Sequence, residues 1–411
     1  MRHRVTRSRR SKHAGGSTAI PAAGPGRRLR TRELAAILSV AAALGLASCI
    51  GLSAKPPAGR SPGPAADRSA PPTASPAGPT TRPTAAPTTG ATATGDPVTI
   101  AAVGDTMLGN TPNLPPDAAA YLDPVKHTLD SGAQIVFGNL EGTLTTATAS
   151  KCGQKKSNKC FAFRNPPDYA GYLKDAGFTV LNNANNHSYD FGPAGQAQTV
   201  RAIHAAGLAQ TGLPGEITVV RAHSVKVAFV AFAPYDYAAS LLDPPAARAL
   251  ITRARQEAPI VVVYMHAGAE GSDADHVTGR EEHYLGEDRG NAEAFAHLAI
   301  DAGASLVIAS GPHVLRGMQF YRGHLIAYSL GNFAGYEDFS TSGVLDLSAI
   351  LHVTLSPAGR FERARLYPVQ FRGTGQPVPG GGAIGYIARL SAEDFGRTAA
   401  RVLPSGAVEA P

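Results

Sequence analysis

From residue 98 onward, short apolar runs alternate with amphipathic stretches, and most of the runs stop at a polar residue. Residues 98–103, 135–137, 177–181, 225–232, 260–265 and 305–309 are rich in β-branched and aromatic side chains and largely lack polar alternation. Such runs read as strands buried on both faces. Between them, 117–131, 166–176, 192–206, 244–257 and 291–302 space their apolar residues at helical intervals. Further on the pattern changes. Residues 217–233 predict a strand pair, 317–321 and 324–328 a hairpin, and 349–355 and 363–370 two more strands. Helices between early strands and hairpins between late ones predict a layered α/β protein with mixed sheets.

The same pattern divides the chain. Residues 50–96 are Pro, Ala, Thr, Gly and Ser with few large apolar side chains, which predicts a disordered, semi-extended linker. A folded domain is expected over 97–375. Residues 376–411, Gly/Pro-rich and then weakly helical, read as a C-terminal tail.

Charge adds a terminal arm to this picture. The net charge is +7 and the pI about 9.3. Ten of the 38 Lys and Arg, and none of the 31 Asp and Glu, lie in residues 1–32, which leaves 28 basic against 31 acidic residues beyond it. The bulk is near neutral, so no nucleic-acid partner is implied. A basic arm followed by the apolar run 34–46 has the layout of a secretory signal. Residues 1–49 close with Leu46-Ala47-Ser48-Cys49, which resembles a bacterial lipobox. That resemblance implies lipid on Cys49 and an extracytoplasmic, membrane-anchored protein. An ordinary signal peptide, or an uncleaved anchor reaching Leu52, fits the same run. With Cys49 lipidated, Cys152 and Cys160 remain of the three cysteines. They share one polar loop, and in an oxidising exterior they predict a disulfide. The alternative is a metal clip, but no His stands nearby to complete it.

Candidate chemistry gathers where the apolar runs stop. Asp105 follows the first run, Asn139 and Glu141 the second, and Asn186 and His187 the third. His266 and Glu270 follow 260–265, and His313 follows 305–309. Open α/β sheets place their sites at the carboxyl ends of strands. Carboxylate oxygens mixed with imidazole nitrogens suit Mn, Fe or Zn better than Ca or Mg. Such a divalent cation lowers the pKa of its bound water and polarises a phosphoryl or carbonyl oxygen. The structural alternative makes Asp105 a turn cap, Asn186 a partner of loop amides, and His266 and His313 neutral, hydrogen-bonded core residues. His276, Glu281, Glu282 and His283 read as a solvated rim.

The motifs carrying these residues are Gly104-Asp105-Thr106-Met107-Leu108-Gly109, Asn139-Leu140-Glu141 and Asn183-Ala184-Asn185-Asn186-His187. Further on come His266-Ala267-Gly268-Ala269-Glu270, Pro312-His313-Val314-Leu315 and Tyr328-Ser329-Leu330-Gly331-Asn332-Phe333. In this order they look like the CapA family, whose members are implicated in poly-γ-glutamate capsule synthesis or export. The family is similar in fold to calcineurin-like metallophosphoesterases. The resemblance therefore implies a four-layer α/β sandwich, two mixed β-sheets flanked by helices, with a two-metal site. It implies metal ligation by Asp105, Glu141, Asn186, His266 and His313, and catalysis by His187. Asn139, Glu270 and Asn332 would support the site or touch substrate, Glu270 by orienting His266. Two positions depart from the phosphoesterase pattern. Met107 stands where a His is expected, and Gly311 stands at the first His of a His-x-His element. One or two ions are therefore expected, with the site residues within about 8 Å of one another, given metal–ligand bonds of roughly 2 Å.

The expected function is a metal-dependent hydrolase at the cell surface. It would act on an anionic envelope polymer such as poly-γ-glutamate, at a γ-glutamyl amide or a phosphoester. The alternative is a non-catalytic protein that binds or guides the polymer beside a membrane synthase.

Overall fold

The structure, a computed structural model, describes residues 95–153 and 160–411. The basic arm, the apolar run 34–46, Cys49 and almost all of the 50–96 stretch lie outside the described residues. Among the described residues, no helix is long and apolar enough to cross a membrane.

The chain runs β1 (Val98–Met107), α1 (Asp123–Asp130), β2 (Ile135–Leu140), α2 (Tyr169–Asp175), β3 (Val180–Asn182), α3 (Gly192–Ala205) and β4 (Ala209–Thr211). It continues through β5 (Thr218–Ala222), β6 (Val225–Ala233), α4 (Pro244–Glu257), β7 (Ile260–His266), α5 (Ala292–Asp301), β8 (Leu306–Ser310), β9 (Met318–Tyr321) and β10 (His324–Ala327). Last come β11 (Asn332–Gly335), β12 (Leu347–Leu355), β13 (Phe361–Arg372), β14 (Gln376–Pro379), α6 (Ala383–Phe395), β15 (Arg401–Val402) and β16 (Ala407–Glu409).

A 10-stranded sheet has the order β15-β16-β13-β12-β1-β2-β3-β4, with β11 beside β1 and β14 beside β13. Its β1 to β4 side is parallel, and β12 and β13 extend it by antiparallel pairing. A 7-stranded sheet has the order β9-β10-β8-β7-β6-β5, with the two-residue strand Ala239–Ser240 parallel beside the end of β6; its middle pairs are parallel and the β9-β10 and β6-β5 pairs antiparallel. Both sheets are mixed, as the switch from helical connections to hairpins predicts.

Because side chains alternate along a strand, each central strand feeds two cores. Ile100, Phe137, Val180, Phe229, Val262 and Ile308 point between the sheets, where Phe137 stacks on Phe229 at 5.4 Å. Ala101, Val103 and Val136 point outward under α1, α2 and α3. Ala228, Val261 and Val307 point outward under α4 and α5. Three cores make four layers: helices, sheet, sheet, helices.

Two helices are shorter at the front than the apolar spacing predicts. The first begins at Asp123 because Asp117 closes a turn on the Ala120 N–H instead. The second begins at Tyr169 because the chain at Pro166-Pro167 turns more tightly, with the Tyr169 N–H bonded to the Pro166 carbonyl and the Ala170 N–H to the Pro167 carbonyl. The expected tail at 376–411 is corrected more substantially. β14 and β16 pair with β13, and α6 sends Ala383 and Ile387 into the inter-sheet core. The glycines and prolines after residue 372 mark turns of a meander, not the end of a domain.

Register delivers the polar strand ends to one edge. Asp105, Asn139 and Asn182 stand side by side on β1, β2 and β3, and His266 stands beside Ser310 on β7 and β8. Gly104 allows the close approach behind Asp105. A Cβ there would meet the Gly331 carbonyl oxygen at 1.9 Å, the group that accepts from the Asp105 N–H at 2.9 Å.

Candidate metal centre

Four of the expected ligands converge between the two sheets. Asp105 Oδ2 lies 3.2 Å from His313 Nδ1. Glu141 Oε1 lies 3.6 Å from His266 Nε2 and 3.8 Å from His313 Nε2. Ligand atoms of Asp105, Glu141 and His313 all fall within 4.8 Å of one another. Asp105, Glu141 and His266 are fully buried.

Each imidazole is held by Nδ1 and turns Nε2 to the cleft. Ser310 Oγ donates to Asp105 Oδ1, so it accepts from the Tyr264 hydroxyl at 2.5 Å. That hydroxyl then accepts from His266 Nδ1 at 3.1 Å, which leaves His266 Nε2 bare. His313 Nδ1 donates to Asn332 Oδ1 at 2.9 Å. This alignment leaves Asp105 Oδ2 beside the His313 ring without a hydrogen bond along its axis. His187 Nδ1 pairs with Asp190 Oδ2 at 2.9 Å. His187 lines the cleft mouth together with Glu141, Glu270, His313 and Asn332.

The Asn-rich stretch after β3 sorts into tiers. Asn182 and Asn185 both donate to Asn139 Oδ1, at 2.6 and 2.9 Å. Asn139 in turn donates to Asp105 Oδ1 at 2.8 Å. A relay of amides therefore fixes the Asp105 carboxylate. Asn186 stands at the rim, where its Nδ2 donates to Glu270 Oε1 at 3.3 Å. Glu270 does not orient His266, as expected from the sequence; Tyr264 does. Glu270 instead faces His313 Nε2 at 3.6 Å and is gripped by Arg289 at 2.9 Å. Glu282 departs from a solvated rim. Its carboxylate receives both Arg316 Nη atoms, at 2.9 and 2.6 Å, and pins the loop that carries Glu270.

The charge states of the metal-free centre follow from burial and neighbours. Burial pushes Asp105 up, but His313, then His266 and the Ser310 hydroxyl, outweigh it and hold the carboxyl at about 2. Burial, then the Asp105 charge, drives Glu141 well above the usual carboxylate range. Burial drives His266 well below the usual imidazole range. Burial would also depress His313, but the Glu141, Asp105 and Glu270 carboxyls push it up to about 10. His313 also sits at φ 61°, a left-handed backbone that costs a non-glycine residue about 1–3 kcal/mol and is concentrated at functional sites.

The donor set fits a divalent cation. Asp105 Oδ2, both Glu141 oxygens, His266 Nε2 and Asn186 Oδ1 are buried with no hydrogen-bond partner. Each such atom costs about 1–3 kcal/mol, and a shared cation would satisfy the acids and the bare His266 nitrogen together. The two departures are physical too. Met107 lines the cleft with a thioether, a poor ligand for hard cations. Gly311 has φ 121°, where a side chain is strained, and its Cβ would lie 3.3 Å from His266.

Tyr264, Ser310, Arg289 and Asp190 had no assigned role in the sequence. Ser310 and Asp190 were findable: one ends the run before Gly311, the other stands three residues after His187. Arg289 lies in a polar loop without periodicity and gave no signal. Cys152 and Cys160 are joined, Cα–Cα 5.7 Å, between Lys151 and Phe161 at the cleft rim.

Fold and centre together define an α/β protein with a buried acid–imidazole cluster at the mouth between two mixed sheets. The chain belongs to the family described as bacterial capsule synthesis protein PGA_cap, whose sequence profile matches residues 99–337. It is 28% identical over 293 residues to the PGA biosynthesis protein CapA of Bacillus subtilis, covering 65% of this chain and 70% of that one. It is 28% identical over 259 residues to the capsule biosynthesis protein CapA of Bacillus anthracis, covering 57% and 59%. Over 244 residues it is 28% identical to a probable polyglutamine synthesis accessory protein of Mycobacterium tuberculosis, covering 51% and 60%. Among solved structures, a 5'-nucleotidase precursor from Thermus thermophilus superposes with a TM-score of 0.36 at 13% identity, covering 67% of this chain and 54% of that one. That likeness is too slight to speak to function.

Proposed function

We propose that this protein serves capsule polymer synthesis as a cell-surface accessory protein, and that its cleft is a metal-dependent hydrolase acting on an anionic polymer of the poly-γ-glutamate kind. The family and the relatives' names support the capsule-synthesis part of the first half. One observation carries the second: the buried, unpartnered donor atoms of Asp105, Glu141 and His266 converge with His313. Asp105, Glu141, His266 and His313 would hold one Mn, Fe or Zn ion, with Asn186 Oδ1 at its edge. When bound, such an ion supplies Lewis-acid polarisation and an acidified water.

The chain's own residues do the rest. Asn139 and Ser310 hold Asp105, and Tyr264 and Asn332 hold the two imidazoles. His187, oriented by Asp190, moves a proton at Nε2. Phe161, Phe163 and Phe339 line the cleft with apolar surface that excludes water around it. Cys49 would carry the lipid that holds the domain at the membrane, near a polymer synthase. The joined Cys152 and Cys160 support an oxidising compartment.

A second reading has its own support. Met107 and Gly311 stand at two positions where imidazole ligands are expected, which favours a cleft that binds and guides polymer without cleaving it. Elemental analysis of the purified chain, with phosphodiester and γ-glutamyl assays in the presence and absence of chelator, separates the two. Stoichiometric metal with chelator-sensitive turnover is expected; absence of chelator-sensitive turnover, with or without metal, sinks the hydrolase reading and selects the second.

A further inference from the structure

A second concavity lies far from the metal centre, on the outer face of the 10-stranded sheet. It has a volume of about 400 Å³ and is lined by Thr99, Ser131, Thr354, Arg363, Arg365 and Tyr367, with His352 at its floor. Sheet register builds it. Thr99, Thr354 and Arg363 form one row across β1, β12 and β13, and Ala101, His352 and Arg365 form the next. Arg363 and Arg365 are two residues apart on β13, so they share a face about 7 Å apart. The floor is fixed, because His352 Nε2 donates to the Thr128 carbonyl of α1 at 2.9 Å. Thr99 marks the start of β1 and Asp105 its cleft end, roughly 20 Å away along the strand.

The lining is cationic and hydroxylic, and none of it is acidic. Arg401 nearby in the sheet is paired with Glu409 at 3.4 Å. Arg363 and Arg365 have no carboxylate in ion-pair reach among the described residues. Arg365 only rests its guanidinium over Tyr367, at 5.6 Å. Two like charges held side by side with no counter-charge are relieved by an anionic ligand. Each guanidinium offers a fork that one carboxylate fits, so a pair at this spacing can engage two carboxylates of one chain. The exposed large apolar residues among those described, Phe161, Val219, Leu242 and Leu285, all lie outside it, so nothing there would insert into a bilayer.

We propose that this groove is a second binding site, for a segment of a polycarboxylate chain, separate from the metal centre. The groove keeps the polymer attached at a point the cleft does not reach. It rests on the reading above only in the choice of polymer as ligand.

The test measures binding of poly-γ-glutamate to the full chain by calorimetry at two salt concentrations. It uses Glu141→Ala to disable the cleft, R363A/R365A and R363E/R365E to disable the groove, and both together. Both arginines are exposed, so the groove variants should melt like the unsubstituted chain. With the cleft disabled, polymer still binds, R363A/R365A weakens it about tenfold, and R363E/R365E removes it together with its salt dependence. Unchanged affinity in both groove variants overturns the proposal. So does binding to anionic lipid vesicles, but not to polymer, that depends on the two arginines. Loss of metal in Glu141→Ala with polymer binding intact leaves the groove standing whatever becomes of the hydrolase reading.

Discussion

The two ends of β1 treat polar groups in opposite ways. At the start of the strand, the Thr99 N–H donates to Gln134 Oε1 at 2.8 Å, and the Thr99 and Thr354 hydroxyls meet at 2.8 Å. The amide and hydroxyls named there have partners, and the arginines beside them are exposed to solvent. At the other end, Asp105 and its neighbours keep carboxylate and imidazole atoms buried without partners. Between the ends lies an apolar middle that belongs to the inter-sheet and outer cores. The stability of the sheet therefore comes from its middle, while the cleft end lowers it. Only something that binds there recovers the difference.

The largest effect should come from removing the most isolated acid. Glu141→Leu replaces a buried carboxyl with an apolar side chain of similar size. Metal measured by elemental analysis should fall from about one ion per chain to none, and any chelator-sensitive turnover should fall to background. In chelator, however, urea unfolding should show the variant more stable by about 1–3 kcal/mol, the cost of an unsatisfied buried group. A variant less stable than the unsubstituted chain would mean that Glu141 has partners and that the contrast between the ends is wrong.

The middle of the strand layer should respond the other way round. Phe137 stacks on Phe229 at 5.4 Å and leans on Tyr264 at 5.6 Å. Phe137→Ala should cost about 3–5 kcal/mol in urea unfolding. The fraction that remains folded should bind metal with unchanged stoichiometry.

Next comes His187, which divides binding from chemistry at the cleft. His187→Ala should leave metal content unchanged and lower turnover by about a hundredfold or more. Equal loss of metal and turnover would make His187 a ligand instead.

How far the sequence reveals these two ends differs in a way that follows from physics. Buried parallel strands must be apolar along their whole length, so 98–103, 135–137 and 260–265 announced themselves, and with them the positions of Asp105, Glu141 and His266. Parallel strands carry their ends to one edge within each sheet, and the two stacked sheets bring those edges together, so residues as distant as 105 and 313, expected at one site, do meet. Partner choice is less legible. Glu270 stands four residues after His266, but a loop can turn it anywhere, and it faces His313 and Arg289. The Arg363–Arg365 pair reads as an ordinary solvent-facing alternation on an edge-side strand. Only the register with Thr354 and Thr99 makes it a groove. The span 376–411 misled because Gly and Pro mark a turn and a domain end with the same residues.

The smallest effect is a pH dependence that separates the two ends directly. Asp338 lines the cleft mouth, and its Oδ2 is buried without a partner. Burial, then the neighbouring Glu337, pushes its carboxyl from 3.8 up to about 7. The folded chain thus keeps a proton that the unfolded chain gives up near pH 4. Stability is therefore highest below the unfolded value, falls as pH rises toward 7, and is level above it. Asp338→Asn keeps the shape of the protonated acid and removes the titration. In chelator, urea unfolding should show the two proteins close to each other at pH 4 and the variant ahead by about 1–2 kcal/mol at pH 8, a figure kept low because Asp338 retains some solvent contact. Thr354→Val at the far end should instead cost about 1 kcal/mol at both pH values, since it removes one satisfied hydroxyl pair and no titrating group. If the Asp338→Asn protein runs parallel to the unsubstituted chain across this range, the carboxyl ionises freely, and the strain at the cleft end is confined to the acid–imidazole cluster.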